Sequence, residues 1–85
     1  MISAKAAVVE KLCGEIALIT CKKPENINPV ESLRNNGIDS MSFLEILLFI
    51  KNEWGIDYIT VGLPSGAQES IGKLAEHICQ SRAAL

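Results

Sequence analysis

The chain is 85 residues long, with 48% hydrophobic residues, 5% aromatic residues and a net charge of −2. A chain of this length forms one domain, residues 1–85, and its apolar content excludes intrinsic disorder. Residues 35–72 carry a charge balance of −4, whereas the segments before and after them each carry +1. Because phosphate binding requires clustered Lys and Arg, we expect no nucleic acid partner, and a basic protein partner suits the acidic segment better.

The three cysteines do not follow a pattern typical of a disulfide framework or a metal site. Their number is odd, no two form a CxxC pair, and the chain has a single histidine, His77. We therefore expect free thiols in a reducing compartment and no bound metal. No membrane span is expected, since the longest apolar run, residues 46–50, is far too short. The N-terminus lacks the features of a signal peptide, which predicts a cytoplasmic location.

The first predicted element is a helix from about Ser3 to Ile19. Its apolar residues recur at helical spacing and form one stripe, namely Ile2, Val9, Leu12, Cys13, Ile16 and Ile19. Residues 20–38 then form a long connection, in which prolines, asparagines and a glycine break any regular period. A loop of this length must be held to the core or serve a function, and Ile27, Val30 and Leu33 are its predicted anchors.

A second helix is predicted from Asp39 or Ser40 to Trp54, with Gly55 as its C-terminal stop. Its apolar residues form two stripes. The first is sufficient for a core face and consists of Phe43, Ile46, Leu47, Ile50 and Trp54. The second consists of Met41, Leu44 and Leu48. This second stripe is either core that wraps further round the helix or an exposed apolar patch kept for a partner.

The remaining chain is predicted to be irregular over residues 56–69, with a short helical turn between Ser65 and Glu69, and then helical again. The last helix runs from an N-cap at Ser70 to about Ser81, with an apolar stripe at Ile71, Leu74, Ala75 and Ile78. The predicted fold class is therefore all-α. We expect a small bundle of three to four helices with a long loop between the first and second helices.

The start of the second helix combines good capping residues with a serine. Asp39 and Ser40 are both favoured N-caps, and Ser42-x-x-Glu45 matches a capping box, so helix physics alone accounts for these residues. A catalytic triad is not expected, because no G-x-S-x-G elbow surrounds Ser40. The unpaired N–H groups and the positive end of the helix dipole also favour an anionic group attached at Ser40.

The stretch Gly37-Ile38-Asp39-Ser40-Met41 resembles the G-x-D-S-L motif of acyl carrier proteins, and the elements follow that family's order and spacing over nearly the whole chain. In that family the serine oxygen bears 4′-phosphopantetheine, taken from coenzyme A, whose thiol carries an acyl group as a thioester. The resemblance implies that Ser40 is the attachment site and that Asp39 helps to position the metal and cofactor of the modifying enzyme. It also implies docking of partner enzymes at Met41, Leu44, Glu45 and Leu48.

Several residues depart from the family pattern. Met41 replaces the commoner leucine, as in D-alanyl carrier proteins and some specialised acyl carriers, and Phe43 and Phe49 are bulkier than usual. The stretch "VGLPSGAQE" has a proline and two glycines where a short acidic helix is usual. These departures favour a specialised pathway, polyketide-like or hybrid, over housekeeping fatty acid synthesis.

The function that the resemblance implies is that of a stand-alone, monomeric carrier and not of an enzyme. Its partners would be a phosphopantetheinyl transferase and acyl-loading or acyl-using enzymes such as a ligase, an acyltransferase or a ketosynthase. Two alternatives remain open. One is a D-alanyl or aminoacyl carrier protein, and the other is a helical interaction module without a prosthetic group, in which Asp39 and Ser40 only cap the helix.

Overall fold

The computed structural model describes residues 4–83 and shows an all-helical bundle in this range, as predicted. The four α-helices are α1 (Ala4–Thr20), α2 (Ser40–Trp54), α3 (Tyr58–Val61) and α4 (Ile71–Ala83). A one-turn 3₁₀ helix, Pro24–Asn26, lies in the long loop between α1 and α2. None of the helices between residues 4 and 83 has the length and apolar character needed to cross a membrane.

The hydrophobic core lies between α1, α2 and α4 and is closed by residues of the loops. α1 packs most extensively against α4, and α3 packs against α2. The buried apolar side chains are Val8, Leu12, Cys13, Ile16, Ala17, Ile27, Leu33, Ile38, Ile46, Leu47, Ile50, Tyr58, Ala67, Ile71, Leu74, Ala75 and Ile78. All but one of these are aliphatic or small, so the chain builds its core with little aromatic area.

The ends of α1 and α2 follow their capping chemistry. At the end of α1, Cys21 adopts a left-handed conformation (φ 59°), and the Lys22 N–H donates to the Ala17 carbonyl at 2.9 Å, which forms a Schellman motif. At the end of α2, Gly55 has φ 73° and its N–H donates to the Lys51 carbonyl. The predicted stop at Gly55 is therefore confirmed. The start predicted for α1 at Ser3 lies outside the described residues.

The two helices α1 and α2 run antiparallel. The ammonium group of Lys11, in the middle of α1, lies 2.6 Å from the carboxylate of Glu53 in the last turn of α2. At the other end, the Lys22 ammonium just beyond α1 donates to the Asn36 carbonyl, four residues before α2 begins. The C-terminal end of α1 therefore lies beside the chain that leads into α2.

The predicted anchors of the long loop are only partly correct. Ile27 and Leu33 are buried, but Val30 is 77% exposed. The residue that organises the loop is instead Asn36, which is 5% exposed. Its Nδ2 donates to the carbonyls of Asn28 (3.0 Å) and Ser32 (2.8 Å), and its Oδ1 accepts from the Asn28 N–H at 2.8 Å. One buried amide thus cross-links two parts of the loop.

The loop also provides hydrogen-bond acceptors for the first turn of α4. The Ile71 N–H donates to the Glu31 carbonyl at 3.1 Å, and the Gly72 N–H donates to the Pro29 carbonyl at 3.0 Å. The hydroxyl of Ser70 accepts from the backbone N–H three positions further on, at Lys73. The predicted N-cap at Ser70 is confirmed. Three of the first N–H groups of α4, which a helix leaves without intrahelical partners, are thereby satisfied.

Residues 56–69 differ from the prediction in two respects. The short helix is α3, over Tyr58–Val61, because the Asp57 carboxylate accepts the N–H groups of Ile59 and Thr60 at 3.0 Å each and so caps it. The turn expected between Ser65 and Glu69 is a pair of hydrogen-bonded turns instead of a helix. Gly66, with φ 88°, leaves the helical region between them.

The core face predicted for α2 is correct at its centre and less so at its edges. Ile46 and Ile50 are fully buried and Leu47 is nearly so. Phe43 and Trp54, which were predicted to belong to the same face, are only partly buried against the core. The ring of Trp54 packs edge to face on the half-buried ring of Phe49, with centroids 5.7 Å apart. This aromatic pair closes the C-terminal end of α2.

Candidate functional site

The candidate site begins with Asp39 and Ser40 at the start of α2. Ser40 is the first residue of the helix and is exposed, and Asp39 is its N-cap. One carboxylate oxygen of Asp39 accepts the N–H groups of Met41 at 3.1 Å and Ser42 at 2.8 Å. These hydrogen bonds, that of Ser42 above all, lower the pKa of the Asp39 carboxyl below its ordinary value.

This geometry changes two sequence-based expectations. Asp39 is the N-cap, so Ser42 is the third residue of the helix and Ser42-x-x-Glu45 does not form a capping box. The N–H groups of Met41 and Ser42, expected to be free to receive an anion at Ser40, already bind the Asp39 carboxylate. The positive end of the helix dipole therefore has an anion of its own.

Because the N-cap of α2 is a charged carboxylate, the stability of the fold should depend on the pH range in which Asp39 titrates. Its folded-state pKa is depressed, so the stabilisation is present above the unfolded pKa, about 4, and is lost as pH falls through the folded value. Asp39→Asn keeps a good N-cap without the charge. In urea titrations, the wild-type midpoint should therefore exceed that of the variant at neutral pH, and this difference should disappear in acid. A difference that is independent of pH would contradict this role for the charge.

The turn that leads into α2 requires a glycine. Gly37 has φ +100°, a conformation that other residues rarely adopt. A Cβ at this position would lie 3.3 Å from the Lys22 ammonium and 3.4 Å from the Thr20 methyl, close contacts that small shifts of these two side chains would relieve. The glycine at this position therefore has a structural reason, which is the positive φ of the turn that precedes α2.

The second stripe of α2 is exposed and does not belong to the core. Met41 is 82% exposed, Leu44 is 50% exposed and Leu48 is 45% exposed, and Glu45 lies among them with its side chain in solvent. This outcome excludes the first alternative, core that wraps further round the helix, and the stripe is an exposed apolar patch. We call these four residues the α2 surface, and it lies on the same helix as Ser40.

Sequence reasoning missed further exposed apolar residues on α3. Ile59 and Val61 are exposed there, 39% and 78% respectively, and α3 packs against α2. Because α3 was not predicted, these side chains were not expected to share a helix. The capping pattern that starts with Asp57 is the signal that could have found it.

A groove with a volume of about 640 Å³ opens beside Ser40. Its walls come from the end of the long loop, the first turn of α2 and the segment before α4. The lining residues are Ser32, Leu33, Arg34, Ile38, Asp39, Ser40, Phe43 and Gln68. No pattern in the sequence indicates that Arg34 and Gln68 belong to this site. The fold of the loop and the turns near Gly66 brings them to Ser40.

The chain was compared with known proteins at three levels, and no family model, curated protein or solved structure matches it. The described residues also contain no cluster of three His, Cys, Asp or Glu side chains that could hold a metal ion. The three cysteines are free, with Cys13 buried in the core as predicted, and burial raises the pKa of its thiol. The groove, Ser40 and the α2 surface are therefore the features from which a function can be inferred.

Proposed function

We propose that this protein is an acyl carrier that bears 4′-phosphopantetheine on the Oγ of Ser40 and presents a thioester-linked acyl group to partner enzymes. One observation supports this proposal above all others. An exposed serine begins a helix whose inner face is core, and the exposed face of the same helix carries the apolar side chains of Met41, Leu44 and Leu48. A residue that must be modified and then presented to enzymes needs this combination of access and adjacent docking area.

The groove beside Ser40 fits the proposed prosthetic group. Phosphopantetheine has a phosphodiester at one end, followed by a chain of methylene, hydroxyl and amide groups. Leu33, Ile38 and Phe43 offer apolar contacts to such a chain, and Arg34 and Gln68 offer polar ones. When bound, the group would supply a terminal thiol that holds the acyl cargo as a thioester. The protein would supply the attachment point and the walls along which the chain lies.

The α2 surface supports the choice of partners. Three apolar side chains with an acidic residue, Glu45, among them suit an interface with an apolar centre and a charged rim. Because residues 35–72 carry an excess of negative charge, we propose that the partners present a basic surface here. They would be a phosphopantetheinyl transferase and the enzymes that load or use the acyl group.

The pathway is proposed from the departures of the sequence from the family pattern. The sequence departs from fatty acid carriers at Met41, Phe43 and Phe49, and we propose a specialised, polyketide-like or hybrid pathway on that basis. A D-alanyl or aminoacyl carrier is the second candidate, because D-alanyl carriers also have a methionine after the modified serine, as Met41 follows Ser40 here. A helical interaction module is the third, in which Ser40 would carry nothing.

The deciding experiment is modification with coenzyme A and a phosphopantetheinyl transferase of broad specificity. Intact-mass measurement should show one added phosphopantetheine on the wild-type protein and none on Ser40→Ala. Ser42→Ala is the matched control, since it removes a hydroxyl two residues further along the same turn. This variant should still accept one phosphopantetheine. If folded wild-type protein stays unmodified with several transferases, the interaction module becomes the better proposal.

A further inference from the structure

The site at Ser40 would contain two anions on adjacent residues if the proposed function holds. The Asp39 carboxylate is charged at neutral pH, and its lowered pKa keeps it so over a wider range. A phosphodiester on Ser40 adds a second negative charge within a few ångströms, and charges of the same sign at this distance repel each other. The amides of Met41 and Ser42 already bind Asp39, so they offer the phosphodiester no free donor.

Among the residues that line the groove beside Ser40, Arg34 is the one with a cationic side chain. Arg34 is exposed and forms no ion pair within 4 Å in the part of the chain that the structure describes. Its backbone is held in place by the turn before α2, because the Gly37 N–H donates to the Arg34 carbonyl at 3.0 Å. The neighbouring Leu33 side chain is buried, which ties the backbone at this point to the core.

The other nearby cation is already bound elsewhere. The Lys22 ammonium donates to the Asn36 carbonyl at 3.2 Å, and Lys22 is not among the residues that line the groove. A guanidinium group is also the better partner for a phosphate, because its planar donors can bind two oxygens at once. Arg34 is therefore the side chain whose position, charge and free donors match the anion expected at Ser40.

We propose that Arg34 is the counter-ion of the phosphodiester on Ser40 and that this ion pair directs the prosthetic group into the groove. This inference depends on the proposed function, since it names the residue that would hold the group. The pair compensates the repulsion from Asp39 at the attachment point. With the phosphodiester held there, Phe43 and Gln68 of the same groove would be available to bind the rest of the group.

The experiment uses NMR of the unmodified and the phosphopantetheinylated protein. On modification, the Nε–Hε resonance of Arg34 should shift. The ³¹P resonance of the modified wild type should differ from that of modified Arg34→Gln. Salt at about 1 M, where the screening length is roughly 3 Å, should move the wild-type ³¹P resonance towards that of the variant. Lys51→Gln is the matched control, since it also removes one positive charge, but from the last turn of α2, at the opposite end of that helix from Ser40. The ³¹P resonance of this modified variant should equal that of the modified wild type.

The outcomes separate this inference from the proposed function. If the wild type accepts phosphopantetheine but the Arg34 resonance stays in place and Arg34→Gln leaves the ³¹P resonance unchanged, the ion pair does not form and the carrier role stands. An equal ³¹P change in Lys51→Gln would also overturn the inference, because it would show a general charge effect. If the wild type accepts no group, the proposed function itself fails at the mass measurement.

Discussion

Ile50→Ala should lower the free energy of unfolding by about 3–4 kcal/mol, because it removes three carbons from a site with no exposed surface. Ile50 lies on the inner face of α2 in the cluster that joins this helix to α1 and α4. A domain of this size has a total stability of roughly 5–12 kcal/mol, so the loss would be a large part of the whole. Urea denaturation followed by tryptophan fluorescence or circular dichroism measures it.

Leu48→Ala is the matched control on the same helix. It also shortens an aliphatic side chain, but Leu48 is 45% exposed, so the expected loss is about 1 kcal/mol or less. The contrast between the two variants tests the assignment of the two stripes. Equal losses in both would show that the α2 surface belongs to the core.

Leu48→Ala also tests the proposal that partner enzymes dock on the α2 surface. Leu48→Ala should slow modification by a phosphopantetheinyl transferase several-fold while its urea midpoint stays near that of the wild type, as expected for an anchor at an interface. Glu45→Lys reverses a charge at the rim of the α2 surface, so its effect on the rate should shrink as salt is added. Normal modification rates in both variants would show that the transferase does not dock on the α2 surface. The exposed residues of α3 would then be the next to test.

Asn36→Ala should cost about 2–3 kcal/mol of stability, more than an ordinary loop substitution. Asn36 is buried and its side chain makes three short hydrogen bonds, to the backbone of Asn28 and Ser32. Alanine would leave the N–H and C=O of Asn28 without these partners in a part of the loop that is only partly open to water. The measurement is again the urea midpoint, with the slope checked to be sure that unfolding remains two-state.

Asn35→Ala provides the comparison at the adjacent position. Asn35 is exposed, and its side chain makes a hydrogen bond at the surface with Glu31, so its removal should cost no more than about 0.5 kcal/mol. Similar losses at the two asparagines would mean that residues 35 and 36 contribute only as turn formers. A loss confined to Asn36 would establish the buried amide as the tie that holds the loop.

The parts of the structure predicted well were those with local physical signals. Apolar spacing located α1, α2 and α4, and Ser70 and Gly55 marked two of their ends, because capping and helical periodicity act over a few residues. The sequence showed a second apolar stripe on α2 but left open whether it was core, and only its exposure in the structure answered that question. The position of this stripe next to Ser40 follows from the sequence alone.

The parts predicted poorly depend on contacts between distant segments. Val30 has the composition of an anchor and yet is exposed, whereas Asn36 looks like a surface turn residue and yet is buried. Arg34 and Gln68 meet at one groove although 33 residues separate them in the chain. Hydropathy does not predict whether a polar side chain finds partners inside a fold. That information lies in the path of the loop.

The hydrogen bonds that the loop makes to α4 have a consequence for local motion. First-turn amides of a helix usually exchange their hydrogens quickly, because they lack intrahelical partners. Here the amides of Ile71 and Gly72 are covered by carbonyls of Glu31 and Pro29, so their exchange requires the loop to detach. Their hydrogen exchange would therefore report how often the wall that carries Leu33 and Arg34 opens, separately from unfolding of the bundle.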